Sequence, residues 1–223
     1  MIDAPAAALD VRARASLGSS EDPIYRAVEA ALRARGASGT LADIGCGGGD
    51  LWTRLRSMFT HCIGVDAVHY AGLPVEIAFA QADLDRARFP LADASADVVA
   101  AVETIEHLEN PRAFFRELHR IVRPGGWVVV TTPNQLSVLS LLTLVVKQRF
   151  SAFQDAAYPA HRTALLEVDL RRIAAECGLQ QIAVAYTMSG RVPWTALHYP
   201  ASLSRLFPRA LSDNVLLIGR RHE

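Results

Sequence analysis

Residues 41–50, which read LADIGCGGGD, constrain the fold of this chain more than any other segment. Their apolar start predicts a buried strand, and the strand ends in a loop that is rich in glycine. Gly45, Gly47 and Gly49 carry no side chain where a backbone has to turn sharply and approach a ligand. The residues from Leu51 onward predict a helix, whose first amides would face the bound group. This order of elements is typical of a site for a nucleotide-like cofactor.

The spacing of the glycines distinguishes between cofactors. The dinucleotide fingerprint has glycine at the first, third and sixth positions of its loop. Counted from Gly45, the sixth position is Asp50, so a nicotinamide cofactor is disfavoured. The motif Asp-x-Gly-x-Gly-x-Gly, which begins at Asp43, instead resembles the first motif of the class I S-adenosylmethionine (SAM) methyltransferases.

Helices and strands alternate along the rest of the chain. Helices are predicted at 22–35, 111–122 and 163–177, and strands at 40–44, 61–66, 76–82, 96–102, 127–132, 179–186 and 214–220. The continuous apolar character of the central strands predicts an α/β fold with a doubly wound, mostly parallel sheet of seven strands. We expect one methyltransferase domain over 1–223, with a loose N-terminal arm at 1–20 and two cover insertions at 135–160 and 188–213.

The resemblance to class I methyltransferases extends from Leu41 to about Arg221. It is carried by the glycine loop, Gly64-Val-Asp66, Phe89-Pro-Leu with Asp97-Val-Val, and Leu118 with Arg123-Pro-Gly-Gly126 before a strand. Within this family the chain is similar to the small-molecule type, in particular the quinone-biosynthesis O-methyltransferases. The resemblance implies that the last strand runs antiparallel and is inserted beside the fifth.

The cofactor residues are expected at the ends of the first two strands. Asp66 follows the loop by roughly twenty residues, where an acid can accept hydrogen bonds from both ribose hydroxyls. The resemblance assigns the methionine end of SAM to Asp43 and to the backbone of Gly45 and Gly47. Cys46 is counted among these loop residues, and no chemistry is assigned to its thiol.

The adenine and the substrate side are assigned by resemblance as well. Asp83 and the backbone of Leu84 are expected at the adenine amino group, and Asp85 is the alternative partner if the loop is shifted. In relatives without a metal, the residue equivalent to Glu103 faces the cofactor.

The segment Glu103-Thr-Ile-Glu106-His107 follows the fourth strand, at the edge where open sheets bind ligands. If it is helical, the three ionisable side chains share one face and form a candidate site for Mg²⁺ or Mn²⁺. The pattern resembles that of quinone-biosynthesis O-methyltransferases and of small-RNA 2′-O-methyltransferases, and in the RNA group a further histidine completes the site. His161 is the candidate for that ligand.

A metal-free site, with His107 as base or substrate contact, is the favoured interpretation, and the metal site is the alternative. Methyl transfer to a phenol needs one of these devices, because a phenol with a pKa of about 10 is mostly neutral at pH 7. A bound cation lowers the pKa of a coordinated hydroxyl, whereas a neighbouring base takes its proton. The candidate catalytic residues are Glu106, His107 and His161.

The charge balance restricts the class of substrate, and the cysteine content restricts the cellular compartment. The 23 basic and 23 acidic residues balance, which disfavours a nucleic-acid substrate. Three scattered cysteines suit a reducing cytoplasm, and no signal peptide is evident. Lys147 is the single lysine beside many arginines, which indicates a GC-rich bacterial genome. The oligomeric state is left open.

The cover insertions are expected to shape the acceptor site. Residues 136–146 are nearly all apolar and too few to span a bilayer. A buried cover helix is the favoured interpretation; a lid for a lipophilic acceptor, or a shallow membrane contact through 136–150, is the alternative. The rings of the second insertion suit a flat acceptor or simply pack the cover; they belong to Trp194, His198, Tyr199 and Phe207.

These patterns predict a SAM-dependent methyltransferase of the cytoplasm that acts on a small molecule, most readily at oxygen. A quinone precursor, a phenol or a sugar is the expected acceptor. A SAM-binding regulatory protein without catalysis and an RNA 2′-O-methyltransferase are the alternatives.

Overall fold

The computed structural model describes residues 18–86 and 88–223, and its centre is a sheet of seven strands. The strands are β1 (Gly39–Ile44), β2 (Phe59–Asp66), β3 (Ile77–Gln81), β4 (Ala96–Ala101), β5 (Val122–Pro133), β6 (Leu179–Thr187) and β7 (Asn214–Arg221). Their order in the sheet is β3-β2-β1-β4-β5-β7-β6. The first five strands run parallel, and β7 lies antiparallel between β5 and β6. The predicted fold class and the place of the last strand are confirmed.

Helices cover both faces of the sheet. The α-helices in the described residues are α1 (Asp22–Arg33), α2 (Asp50–Leu55), α3 (Pro111–Ile121), α4 (Val138–Lys147), α5 (Glu167–Glu176) and α6 (Ala201–Leu206). Leucine, isoleucine and phenylalanine side chains of α3 and α5 pack on one face, and those of α1 and α2 pack on the other. Because apolar residues recur at helical spacing on these four helices, each buries one stripe against the strands.

Two element boundaries differ from the sequence prediction by four residues or more. The helix predicted from residue 163 begins at Glu167, because the amides of Arg162 and Thr163 donate to the carbonyl oxygen of Glu106 instead of entering a helix. The strand predicted from Trp127 begins at Val122, and its pairing with β4 shifts register over the intervening residues.

The first cover insertion differs more fundamentally from the favoured interpretation. Helix α4 is not buried: Ser140 is its buried residue, whereas Val145 is 79% exposed and Val146 is 64% exposed. The prediction of a buried cover helix is therefore wrong, since four of its seven leucine and valine side chains are exposed. Within residues 18–86 and 88–223, no helix combines the length and apolarity needed to cross a bilayer.

Most of the predicted N-terminal arm, residues 1–17, lies outside the described residues. Its last residues, 18–20, are described and lie at the sheet edge that carries the glycine loop.

Candidate active site

A cavity of about 730 Å³ opens at the carboxyl edge of the parallel strands. It lies where the chain order reverses, because β1 has β2 on one side and β4 on the other. Such a switch point leaves a crevice between neighbouring loops, and open α/β sheets bind their ligands there. The cavity is lined by the ends of β1, β2 and β4, by the start of the described chain and by both cover insertions.

The glycine loop after β1 turns back along β2. The amides of Gly45 and Cys46 both donate to the carbonyl oxygen of Val65, at 2.7 and 3.2 Å. Gly45 has a φ of +80°, and a Cβ at that position would lie 2.3 Å from Oγ1 of Thr104. The loop therefore requires glycine at Gly45 for two reasons, the left-handed backbone and the close approach of Thr104, which follows β4.

Asp43 lies at the mouth of this loop and lines the cavity. Its side chain is 2% exposed, and among the described residues Oδ2 has no hydrogen-bond partner. Burial, with the nearby charges of Asp66 and Asp50, raises the pKa of the Asp43 carboxyl to about 7. A buried carboxylate oxygen without a partner is costly unless a ligand pairs with it, so this position suits a cationic group.

Asp66, at the end of β2, connects the second strand to the glycine loop. Its Oδ2 accepts a hydrogen bond of 2.9 Å from the amide of Gly47, and Oδ1 accepts one of 3.3 Å from Val68. Burial is the largest cause that raises the pKa of the Asp66 carboxyl. Its neighbours in the cavity wall include Cys46 and Leu84, which were predicted beside it.

Asp83 occupies a different environment from the one expected. It is absent from the described cavity wall, and its carboxylate accepts from the amide of Asp85 at 3.1 Å and pairs with Arg86 at 3.4 Å. Asp85 in turn accepts from the amide of Glu109 at 2.7 Å. Both carboxylates thus hold turns at the rim, and Leu84 between them is the residue that reaches the cavity.

Glu103 is held by two neighbouring strands. Its Oε1 accepts hydrogen bonds from Oγ1 of Thr131, at 2.9 Å, and from Nδ2 of Asn214, at 2.6 Å. Burial raises the pKa of the Glu103 carboxyl to about 7 against these bonds, which lower it. The backbone of Glu103 has a φ of +49°, and only Ile105–His107 form a short 3₁₀ turn. The expectation of one helical face carrying all three ionisable side chains is therefore wrong.

Glu106 is more deeply buried, with 1% of its surface exposed. Its Oε2 accepts a hydrogen bond of 3.0 Å from Thr132, and among the described residues Oε1 has no partner. Burial, followed by the charge of Glu103, raises the pKa of the Glu106 carboxyl well above its ordinary range. The unpartnered Oε1 therefore suits a proton donor or a cation, which would compensate the buried charge.

His107 and His161 meet across the cavity wall. Their ring centroids lie 4.9 Å apart, and each Nδ1 lies within hydrogen-bond distance of a carbonyl oxygen, that of Ala160 at 3.0 Å and that of Ala152 at 2.6 Å. Because a carbonyl oxygen only accepts, Nδ1 is the protonated nitrogen and Nε2 carries the lone pair in the neutral ring. Burial lowers the pKa of the His161 imidazole, which favours that neutral ring.

Three of the four predicted metal ligands lie together. One potential ligand atom from each of Glu106, His107 and His161 falls within 4.8 Å of the other two. Glu103 does not belong to this group, because Thr131 and Asn214 hold its carboxylate. Two imidazoles and a buried carboxylate oxygen are a suitable donor set for a divalent ion of the first transition row.

Several residues of the cavity were missed by sequence reasoning. Tyr25 lines the cavity from α1, and its hydroxyl accepts a hydrogen bond of 2.8 Å from the amide of Ser20. Asn214 reaches Glu103 because an antiparallel β7 begins at the edge where β5 ends. The inserted antiparallel strand was itself predicted, and that prediction places residue 214 at the cavity.

The structure gives the positions of three of the four rings predicted to shape the acceptor site. His198 lines the cavity, together with Arg191 and Met188 from the same insertion. Trp194 is 74% exposed and Phe207 is 58% exposed, so neither packs a closed cover.

Comparisons with known proteins agree with this architecture. Residues 19–184 match the model of a family described as a methyltransferase domain. The ubiquinone biosynthesis O-methyltransferase of Paraburkholderia xenovorans is 33% identical over 124 residues, 51% of this chain and 52% of that protein. The enzyme of the same name from Burkholderia pseudomallei is 27% identical over 155 residues, 65% of this chain and 66% of that protein. The chain thus spans about half the length of the first relative and about two thirds of the second.

Solved structures show the same fold. A SAM-dependent methyltransferase from Thermotoga maritima has a TM-score of 0.66 at 18% identity, over 89% of this chain and 87% of that one. A SAM-dependent methyltransferase from Archaeoglobus fulgidus has a TM-score of 0.62 at 16% identity, over 88% of this chain and 94% of that one. Because the family model matches residues 19–184, which are most of this chain, the chain belongs to the class I SAM-dependent methyltransferases.

Proposed function

We propose that this protein binds SAM in the cavity at the carboxyl edge and transfers its methyl group to a hydroxyl oxygen of a small molecule. The observation that carries the proposal is the placement of two chemically different groups in one cavity. Asp43 offers a buried, unpartnered carboxylate oxygen, and Glu106, His107 and His161 form a cluster suited to proton removal. A cationic methyl donor and a neutral hydroxyl acceptor need these two environments.

The residues present fit SAM. Asp43 would compensate the positive charge of its methionine end, and Gly45 and Cys46 line the cavity in a tight turn that a Cβ on Gly45 would disrupt by colliding with Thr104. Asp66 presents a carboxylate to the ribose, and Leu84 lies on the adenine side. When bound, SAM supplies a methyl carbon whose bond to sulfur breaks as the acceptor oxygen attacks, with the electron pair remaining on sulfur.

The two histidines supply the base. In each neutral ring the proton lies at Nδ1, which faces a carbonyl oxygen, and Nε2 is the nitrogen that would take the hydroxyl proton of the acceptor. The lowered pKa of His161 keeps that imidazole neutral and able to accept a proton at pH 7. Glu106 is held in the site by the hydrogen bond that its carboxyl accepts from Thr132.

A divalent ion is the second form of the same proposal. Glu106, His107 and His161 would hold it, and it would lower the pKa of a coordinated acceptor hydroxyl. Calorimetric titration of Mg²⁺ and then Mn²⁺ into protein saturated with S-adenosylhomocysteine decides between the forms. Stoichiometric binding that Glu106→Ala removes and Glu176→Ala retains supports the ion, since Glu176 is an acid on the surface of α5. Absence of binding leaves the histidines as base.

A quinone precursor with adjacent ring hydroxyls is the proposed acceptor. Support comes from the relatives named as ubiquinone biosynthesis O-methyltransferases and from a half-apolar cavity near His198. Methyl transfer from labelled SAM to a catechol, a monophenol and a sugar, measured in parallel, tests this choice. Transfer to the sugar alone would contradict it.

Matched histidine variants test the catalytic assignment. His107→Ala or His161→Ala is expected to lower kcat about 100-fold or more while SAM still binds, because a positioned base contributes on that order. His61→Ala removes an exposed histidine of β2 and leaves kcat unchanged. If wild-type protein binds SAM but methylates none of these acceptors, a SAM-binding protein without catalysis is the better description.

A further inference from the structure

The two helices of the cover insertions have their apolar side chains on the outside. In α4 the buried residue is Ser140, and in α6 it is Ser204. Four of the seven leucine and valine residues of α4 and both leucines of α6 are exposed. A helix on a protein surface ordinarily buries its apolar stripe and exposes its polar residues. Both cover helices reverse that arrangement, so their outer faces are built for an apolar environment.

The exposed face of α4 is a stripe at helical spacing. Leu141 is 42% exposed and Val145 79%, one turn apart, and beside them Leu142 is 37% exposed and Val146 64%. In contrast, Ser140 lies inward, where its hydroxyl contacts Gln135 at 3.4 Å and accepts from the amide of Ser151 at 3.2 Å. These polar bonds fix the rotation of the helix, and the rotation keeps the stripe outside.

The second insertion carries a similar set. Leu206 is 69% exposed and Phe207 58%. The two insertions touch each other, because the amide of Val138 at the start of α4 donates to the carbonyl oxygen of Ala210 at 2.8 Å. We name the exposed apolar residues of α4 and of the C-terminal end of α6 the cap surface: Leu141, Leu142, Val145, Val146, Leu206 and Phe207, which directly follows α6.

Ring-bearing and basic residues accompany the cap surface. Tyr158 and Trp194, in the same insertions, are 73% and 74% exposed. Tyrosine and tryptophan are the side chains that concentrate where hydrocarbon meets water at a bilayer surface. Over residues 135–160 and 188–213 there are five arginine or lysine residues and two aspartates, although the whole chain has no net charge. The insertions are thus locally basic as well as apolar.

We propose that the cap surface docks on an anionic lipid bilayer. Apolar side chains enter the headgroup boundary, and basic residues such as Lys147 and Arg205 contact the lipid phosphates. An apolar face alone would fit many partners, and the local positive charge with exposed tyrosine and tryptophan selects a lipid surface.

Docking also bears on the acceptor. Leu139, in the first turn of α4, and Tyr158 both line the cavity, so the bilayer would meet the cavity mouth. The acceptor class that follows is a lipid-soluble hydroxyl compound, and this extension rests on the proposed methyl transfer.

The test is co-sedimentation of the full chain with vesicles of phosphatidylcholine alone and with phosphatidylcholine containing phosphatidylglycerol. Stronger binding to the anionic vesicles is expected, and it weakens as salt is raised. Val145→Glu and Val146→Glu are each expected to weaken binding on the order of tenfold, from the loss of a buried apolar side chain. Lys147→Gln is expected to weaken it about fivefold.

Val75→Glu is the matched control, because Val75 is 96% exposed and lies outside both insertions. It is expected to bind vesicles like the wild type. Affinity for SAM, measured without vesicles, is expected to stay unchanged in all four variants. If the wild-type protein does not bind SAM, the proposed methyl transfer is contradicted. The vesicle measurement still tests docking in that case, because it does not depend on SAM.

Two outcomes would overturn docking. The first is the absence of vesicle binding that depends on the cap surface. This result is obtained if the wild-type protein sediments with neither vesicle, or if a Val145→Glu/Val146→Glu double variant binds as well as the wild type. The second is a dimer in sedimentation velocity that Val145→Glu dissociates while vesicles remain unbound, since the cap surface would then join two copies of the chain.

Discussion

The amide of Gly48 donates a hydrogen bond of 2.8 Å to the carbonyl oxygen of Gly18, so the described start of the chain lies against the glycine loop. The same oxygen lies 1.9 Å from the place where a Cβ on Gly47 would stand. Gly47 is therefore required by the neighbouring backbone as well as by its own φ of +50°. This contact joins the N-terminal segment to the cofactor side of the cavity.

Gly47→Ala is expected to displace residues 18–20 and to weaken SAM binding at least tenfold. Gly36→Ala is the matched control, because Gly36 has a φ of +61° with nothing within 4 Å of an added Cβ. The control carries only the backbone strain, about 1–2 kcal/mol of unfolding free energy. Isothermal titration with SAM and urea unfolding of both variants separate the two effects. Equal SAM affinity in both would show that the Gly18 contact has no part in binding.

Tyr25→Phe removes the hydroxyl that accepts a hydrogen bond from the amide of Ser20. We expect SAM affinity to fall about fivefold, as one hydrogen bond that orders the segment over the cavity is lost. Tyr199→Phe serves as control, since Tyr199 is half-buried and outside the described cavity wall. Unchanged affinity in Tyr25→Phe would mean that the segment is held without this bond.

SAM binding is expected to weaken as the pH is lowered from 8 to 6. The pKa of Asp43 is raised to about 7, so its carboxyl becomes protonated across this interval and no longer compensates a cation. Titration calorimetry at pH 6, 7 and 8 measures the change. In Asp43→Asn the affinity for SAM is expected to be low at each pH. The part of the pH dependence that comes from the Asp43 carboxyl is expected to vanish. A wild-type affinity that is constant between pH 6 and 8 would contradict this role.

The same carboxyl is expected to reduce the stability of the ligand-free protein above pH 7. Its folded pKa of about 7 lies above its unfolded value of about 3.9, so the folded state binds the extra proton and stability falls as pH rises between these values. Asp43→Asn removes this loss and is expected to add about 2–4 kcal/mol to the unfolding free energy at pH 8, with a much smaller gain at pH 4. Urea unfolding at both pH values measures it, and a gain that is equal at both would exclude titration as its source.

Local chemistry explains which features could be read from the sequence. The glycine loop, Asp43 and Asp66 were predictable, because short-range steric and hydrogen-bond requirements restrict the residue types at a strand–loop–helix site. The mostly parallel sheet followed from the alternation of elements, and the place of the last strand beside the fifth followed from the resemblance of the motifs. The cluster of Glu106 and His107 was predictable for the same reason, since both lie in one short segment.

Other features depended on distant parts of the chain. Glu103 leaves the predicted ligand group because Thr131 and Asn214, from β5 and β7, bond to it. The carboxylate of Asp83 pairs with Arg86, and Leu84, not Asp83, lines the described cavity wall. These partners are chosen by which strands become neighbours, which no local spacing encodes.

The sequence by itself determined the fold class, the place of the glycine loop and the apolar character of residues 136–146. Only the tertiary structure decided which way that segment faces. Its period fits a buried helix equally well, but the hydrogen bonds of Ser140 with Gln135 and Ser151 turn the polar side inward and leave Val145 and Val146 in solvent. Helix rotation follows from contacts with other elements, so hydrophobicity alone could not assign it.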